Sequence, residues 1–170
     1  MKYGEIIYST LCKAILWIER THSQKIEGTF FDVGHGAGKG LIAAALCKRF
    51  EKIGGVELLP GLFYESVKLR DTYTQSQQDT TTIFELIEGD FLENTQWTTA
   101  DLVYMNSVFD GGFLLEQISE EASKMKVGAW FLTTFKPLLL NESGVWEIRH
   151  EEEVDMSWGR ITMYFHHKVK

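Results

Sequence analysis

The segment Phe30-Phe31-Asp32-Val33-Gly34-His35-Gly36-Ala37-Gly38 limits what this chain can become more than any other. An apolar run breaks into three glycines at alternate positions, and an Ala-rich helical pattern, Gly38–Arg49, begins at the last of them. That is a strand, a tight turn and a helix in immediate succession. Glycine lets the backbone take positive φ and approach a ligand closely. Standing alone, the pattern also describes a strand-to-helix turn with no ligand.

Hydrophobic periodicity places further elements around this unit. Residues 5–20 carry Ile6, Ile7, Leu11, Ile15 and Ile18 at helical spacing. Thr29–Val33 reads as a buried strand and Gly54–Glu57 as a short one. Pro60 suits the first turn of a helix running to about Ser76. Ile83–Glu88 and Asp101–Met105 read as strands, Phe113–Lys126 as a helix and Ala129–Thr134 as a strand. Val145–His150 and Ile161–His167 are strands at hairpin distance. The order predicts an α/β fold with a Rossmann-like, mostly parallel, doubly wound sheet that ends in an antiparallel hairpin. Ligands of such sheets bind beyond the carboxyl ends of the strands. The 170 residues contain two prolines, Pro60 and Pro137, neither in a linker-like stretch, so residues 1–170 read as one domain.

Charge and composition remove several classes. The formal net charge is −7, which argues against strong nucleic-acid binding and fits a small-molecule or basic protein substrate. No apolar run is long enough to cross a bilayer, and no signal peptide precedes Glu5, so no membrane partner is expected and a cytoplasmic or nuclear location is. Cys12 and Cys47 sit in apolar helical patterns without metal-ligand spacing and read as reduced core thiols. His166 and His167 fall on opposite faces of a strand, and Glu151-Glu152-Glu153 with Asp155 reads as a solvated turn, so no metal is expected.

The glycine turn does not stand alone. Gly55-Val56-Glu57 ends the next strand, about twenty residues on, where a carboxylate can accept from both hydroxyls of a ribose. Glu88-Gly89-Asp90-Phe91 ends a third, where Asp90 can take an adenine amino group and Phe91 can pack on the ring. Gly34, Gly36 and Gly38 are spaced Gly-x-Gly-x-Gly, not as in a nicotinamide dehydrogenase, and no Gly-Lys-Ser/Thr ending marks a phosphate loop. Asn106 follows the apolar strand Val103-Tyr104-Met105 at the middle of the sheet, where its carbonyl can hold an amine and orient the lone pair. The cofactor this set suits is S-adenosylmethionine (SAM).

At this point the residues resemble the Dot-one type (disruptor of telomeric silencing) histone lysine methyltransferases, which use the class I fold. The similarity runs from Tyr3 to Lys168. Tyr3-Gly4-Glu5 looks like the family's opening segment, which folds over the cofactor. The turn from Asp32 to Lys39, the ribose strand Gly55-Val56-Glu57 and the adenine element Gly89-Asp90-Phe91 are similar to family sequence, with His35 for Ser and Lys39 for Gln. Met105 to Asp110 resembles the active-site strand end, with Ser107, Val108 and Asp110 departing from it. Met125-Lys126-x-Gly128 and Lys136-Pro137 are similar as well, and Ser157-Trp158 with Tyr164-Phe165-His166 looks like the strand pair that walls a lysine channel.

The resemblance implies a seven-stranded class I sheet and a SAM-dependent lysine N-methyltransferase, histone-like and chromatin-directed, whose partner is a protein presenting a lysine. It implies cofactor contacts from Tyr3, Glu5, Asp32, Gly34, Gly36, Gly38, Glu57, Asp90, Phe91 and Asn106, and catalytic roles for Asn106, Trp158 and Tyr164. A lysine amine has a pKa of about 10.4 and must lose its proton first, which a dry aromatic channel favours. Two other readings stand beside it: a class I methyltransferase of a small molecule or another protein side chain, and an inactive methyltransferase-like binding module.

Overall fold

The computed structural model describes residues 6–76, 81–106, 112–140, 144–157 and 159–170. Tyr3, Glu5 and Trp158, and the stretch from Ser107 to Asp110, lie outside them. The elements are α1 (Tyr8–His22), β1 (Gly28–Val33), α2 (Lys39–Leu46), β2 (Phe50–Glu57), α3 (Pro60–Ser76), β3 (Ile83–Glu88), a 3-10 turn (Thr95–Thr99), β4 (Leu102–Asn106), α4 (Gly112–Ala122), β5 (Trp130–Thr134), β6 (Trp146–Met156) and β7 (Gly159–Lys168). They build one seven-stranded sheet in the order β3-β2-β1-β4-β5-β7-β6. The first five are parallel, and β7 runs antiparallel to both β5 and β6.

The central strands are apolar on both sides because both sides are covered. Phe30, Leu102, Tyr104, Trp130 and Leu132 face Leu11, Ile15 and Ile18 of α1 and Leu41 and Ala44 of α2. Phe31, Val33, Val103, Met105 and Phe131 face Trp97, Ile118 and Ala122. Fully burying one large apolar side chain is worth about 1.5–3 kcal/mol, so these two layers hold the sheet that presents the strand tips. Among the described residues no helix is long and apolar enough to cross a membrane.

Three readings of the sequence need correction. Strand β2 begins at Phe50, four residues before Gly54, because Phe50 and Ile53 are buried while the intervening Glu51 and Lys52 point outward. Lys52 pairs with Glu85 across the β2–β3 edge. The acidic run Glu151 to Asp155 is not a turn but part of β6, whose buried side is carried by Val154 and Met156. Carboxylates along this outer strand discourage edge-to-edge pairing. Cys12 and Cys47 are free but only half-buried, joining α1 to α2 with sulfurs 3.3 Å apart.

The two consecutive histidines do diverge. His167 stacks on Trp130, while His166 is fully buried, its Nδ1 donating to Phe131 O at 2.9 Å and its Nε2 accepting from Leu138 N at 3.1 Å. His166 thus pins the chain that leaves β5. Burial lowers its pKa to about 4, against the modest pull of the Phe131 carbonyl. The unfolded chain takes up this proton first, so the stability His166 contributes is complete above pH 6.5 and is lost as pH falls towards 4. A shift of that size corresponds to roughly 3 kcal/mol. We expect His166→Ala to lower the unfolding free energy at pH 7 and to flatten the acid limb between pH 6.5 and 4 in urea titrations. An acid limb identical to that of the parent chain would remove His166 as its source.

Candidate functional site

The site begins where β1 ends. Gly34, Gly36 and Gly38 have φ of 73°, 57° and 89°, the left-handed region that glycine enters at no steric cost. Gly34 N and His35 N both donate to Val56 O, at 2.9 and 3.2 Å, so the turn is stitched to the tip of β2. A Cβ on Gly38 would stand 2.9 Å from Ser66 Cβ, which is how closely α3 packs on the loop. A Cβ on Gly34 would meet nothing within 4 Å, so the loop's first glycine borders open space.

Glu57 closes the loop. Its Oε2 accepts from Gly36 N at 2.8 Å and its Oε1 from Leu59 N at 2.9 Å, with the side chain only 7% exposed. One carboxylate therefore joins the glycine turn to the start of α3. Each of its oxygens has two acceptor positions, so ribose hydroxyls can be added to the same atoms. Gly89 N donates to the Glu57 backbone carbonyl at 2.9 Å, which brings the tip of β3 alongside.

There Asp90 is locked in its own turn. Its Oδ1 accepts from Leu92 N at 2.8 Å and its carbonyl from Asn94 N at 2.9 Å, while Oδ2 takes no bond among the described residues. Phe91 is half-buried against the core layer that holds Trp97, whose Nε1 donates to Phe91 O at 2.9 Å.

Asp32 is the least satisfied carboxyl of the site. It is 3% exposed, and among the described residues its carboxylate forms no hydrogen bond or ion pair. A Cβ on Gly40 would overlap it, so glycine at the first turn of α2 makes its room. Burial, and then the Glu57 carboxylate, raise its pKa to about 8. Such a group favours a cation beside it.

His35 is a site residue that the sequence reading left without a role. Its Nδ1 donates to Gly36 O at 2.8 Å, its ring fills the space left by the missing side chain of Gly55, and its buried Nε2 has no partner among the described residues. Burial lowers its pKa. A His in an x position of a glycine turn gives no hint that the ring folds back beneath the loop.

At the tips of β4 and β5, Thr134 Oγ1 donates to Asn106 Oδ1 at 2.6 Å. Asn106 and Thr134 are cross-strand partners on the face that also carries Asp32 and Tyr104. Tyr164 is not on that face. It pairs with Thr133, and Met163 is the residue opposite Thr134, so the two-residue alternation sends Tyr164 to the other side from Asn106. Asn106 and Tyr164 therefore stand on opposite faces of the sheet, and Tyr3, Glu5 and Trp158 fall outside the described residues.

Immediately beyond Thr134, Lys136 N donates back to Thr134 O at 3.0 Å, closing a three-residue γ-turn with Phe135 at its centre and φ of 73°. This is the rarer, strained form of the γ-turn. Positive φ at a bulky residue costs on the order of 1–3 kcal/mol.

The strand order 3-2-1-4-5-7-6 with an antiparallel seventh strand, and the glycine turn facing two acidic strand tips, now decide the architecture. The chain has the class I methyltransferase fold. Solved structures bear this out. An RNA methyltransferase from Salinibacter ruber in complex with S-adenosyl-L-homocysteine is 15% identical, over 94% of this chain and 91% of that one, with a TM-score of 0.65. The M1A22 tRNA methyltransferase TrmK of B. subtilis is 12% identical, over 98% and 67%, at 0.67. A structure described by the conversion of a disulfide bond into a thioacetal group during echinomycin biosynthesis is 16% identical, over 92% and 81%, at 0.62. No family model and no curated protein matches the sequence.

These findings overturn the resemblance to the Dot-one type histone methyltransferases. No model of that family matches, and RNA and tRNA methyltransferases stand among the structures that share the fold. The expectations of a lysine-presenting protein or histone partner, of a chromatin role and of no strong nucleic-acid binding are corrected with it. The motifs that carried the resemblance are a glycine turn and acidic strand tips, which the fold itself places together, and a net charge of −7 averages over the surface without describing any one face.

Glu57→Ala removes the acceptor of two loop amides and, if Glu57 holds the ribose, that contact as well. We expect SAM affinity to fall by about 1.5–3 kcal/mol, with Glu57→Gln losing less because one oxygen remains. Calorimetric titration with unchanged affinity in Glu57→Ala would exclude Glu57 from the site.

Proposed function

We propose that this chain is a SAM-dependent N-methyltransferase whose acceptor is a base of RNA. The observation that carries the cofactor reading is the pair of carboxylates behind the glycine turn: Glu57 held by two amides, and Asp32 buried beside it without a hydrogen-bonding partner among the described residues. The residues fit the group. Glu57 takes the ribose hydroxyls, Asp90 Oδ2 the adenine amino group, and Asp32 faces the cationic amino-acid end. The open space at Gly34 lets the backbone approach the ligand.

SAM supplies a methyl group on a sulfonium, a leaving group that needs no activation. What remains for the protein is to align an acceptor lone pair and exclude water. Asn106 does the aligning. Thr134 fixes its amide at 2.6 Å, and the carbonyl oxygen, with two acceptor positions, can hold an N–H of the incoming amine. An exocyclic base amine is uncharged at neutral pH, so no proton has to leave before transfer; its lone pair is delocalised into the ring, and a carbonyl that accepts one N–H favours the pyramidal nitrogen that attacks the methyl group, the extra proton passing to solvent afterwards. RNA as the acceptor is supported by the methyltransferases of RNA and tRNA that share the fold.

The test is transfer of label from SAM to an unmodified, in vitro transcribed tRNA pool, with Asn106→Ala in parallel. Labelled RNA is expected, with turnover down about 10²-fold in the variant and SAM binding retained. Labelled protein with unlabelled RNA would defeat the acceptor reading. A second expectation concerns Asp32. At pH 7 a carboxyl with a pKa of about 8 is mostly protonated, and a bound cation drives it to ionise. Calorimetry in buffers of different ionisation heat should record close to one proton released per SAM bound, and none in Asp32→Asn. Equal values for both chains would separate Asp32 from the cofactor.

A further inference from the structure

The chain's two cysteines meet at the seam between α1 and α2. Cys12 lies on the second turn of α1 and Cys47 caps the C-terminus of α2, with their sulfurs 3.3 Å apart. Each sulfur also has an oxygen in reach. Cys12 Sγ donates towards Tyr8 Oη at 3.5 Å, and Cys47 Sγ to Ala43 O at 3.2 Å.

Packing fixes this separation from two sides. Leu11 and Ile15 of α1 and Leu41 and Ala44 of α2 belong to one buried cluster, against which Cys47 rests. Beyond the sulfurs, Arg49 Nε meets Glu19 Oε1 at 3.3 Å and ties the exit of α2 to α1. A disulfide bond is about 2.05 Å long, so the sulfurs need to close by only about 1.3 Å. Groups held this near each other react as a unit rather than by chance encounter. Neither cysteine is sealed in the core, since both are half-buried. Tyr8, one turn before Cys12, and Ala43 and Leu46, just before Cys47, border an open groove.

We propose that Cys12 and Cys47 are a peroxide-oxidised dithiol site that closes an intramolecular disulfide between α1 and α2. Its chemistry needs neither SAM nor RNA. Hydrogen peroxide is the oxidant. The Cys12 sulfur attacks one peroxide oxygen; the S–O bond forms, the O–O bond breaks, and the second oxygen leaves as water with the thiol proton. The Cys47 sulfur then attacks the sulfenic sulfur; the S–S bond forms, and the hydroxyl leaves as water with the Cys47 proton. Two thiols lose two electrons, and the peroxide becomes two waters. Burial, and then the bond with Cys12, push the Cys47 thiol up to about 12, so Cys47 keeps its proton until the departing hydroxyl takes it. The crosslink joins residues 35 positions apart and so restricts the unfolded chain. It lies at the opposite end of α2 from the glycine turn, which leaves the cofactor site unchanged.

The experiment treats the reduced full chain with hydrogen peroxide, with Cys12→Ser and Cys47→Ser in parallel, and reads intact mass, non-reducing peptide maps and melting temperature. The expected product is a monomer lighter by two hydrogens, with the Cys12 and Cys47 peptides joined. It melts about 5 °C or more above the reduced chain, and dithiothreitol reverses the change. Cys47→Ser stops at a Cys12 sulfenic acid that dimedone captures, and neither variant forms the crosslink. Calorimetric titration finds the same SAM affinity in the reduced and oxidised parent chain. Sulfinic or sulfonic acids without joined peptides, a disulfide between two chains, or a melting temperature that falls on oxidation would each overturn the site. Loss of SAM affinity on oxidation would overturn its separation from the cofactor. Should a serine variant fail to fold, the peptide map of the parent chain still decides.

Discussion

A carboxylate buried to the extent of Glu57 must find donors, and the two it finds belong to different segments of the chain. Gly36 N comes from the turn after β1 and Leu59 N from the approach to α3. Burying a charge without such partners is costly, so the bonds hold the glycine turn, the tip of β2 and the α3 entrance in one arrangement. Everything proposed for the cofactor depends on that arrangement. The left-handed glycines are tolerable because the amides they expose are used. Asp32 is denied the same satisfaction, and the proximity of Glu57 adds to the burial that keeps its proton on. Glu57 is tied to the loop by both of its oxygens, while Asp32 has no such bond among the described residues.

The acceptor side is organised by the alternation of the sheet. Asp32, Tyr104, Asn106 and Thr134 share one face at the carboxyl ends of β1, β4 and β5. Tyr164 belongs to the opposite face, so an aromatic wall around Asn106 cannot come from that residue in this register. Phe135 enters by breaking the alternation. Its γ-turn re-aims the chain at the point where β5 would otherwise continue, and His166 secures the chain three residues further on.

Much of this was legible from residue order. Apolar runs such as Phe30-Phe31 and Val103-Tyr104-Met105 could only be strands covered on both sides, and the positions of the glycine turn, Glu57, Asp90 and Asn106 followed from where those strands stop. Edge strands were less legible. The charged residues 151–153 and 155 hide a strand because just one side of β6 needs to be apolar there; β2 is an inner strand, but its first half is hidden too, because Glu51 is exposed and Lys52 pairs with Glu85. Phe135 was invisible because nothing in a Phe-Lys-Pro sequence announces positive φ at the phenylalanine. The mistaken family had a physical cause as well. Glycines at a turn, acids at two strand tips and an amide at a third are demands of the cofactor, and they say little about which acceptor arrives from the other side.

A crystal structure of the chain with S-adenosylhomocysteine tests the central role of Glu57 most directly. If Glu57 both holds the loop and binds the cofactor, its oxygens will keep the Gly36 and Leu59 amides while lying within about 3 Å of the ribose hydroxyls. Ribose bound elsewhere, or a Glu57 carboxylate that abandons either amide to reach it, would contradict that dual role.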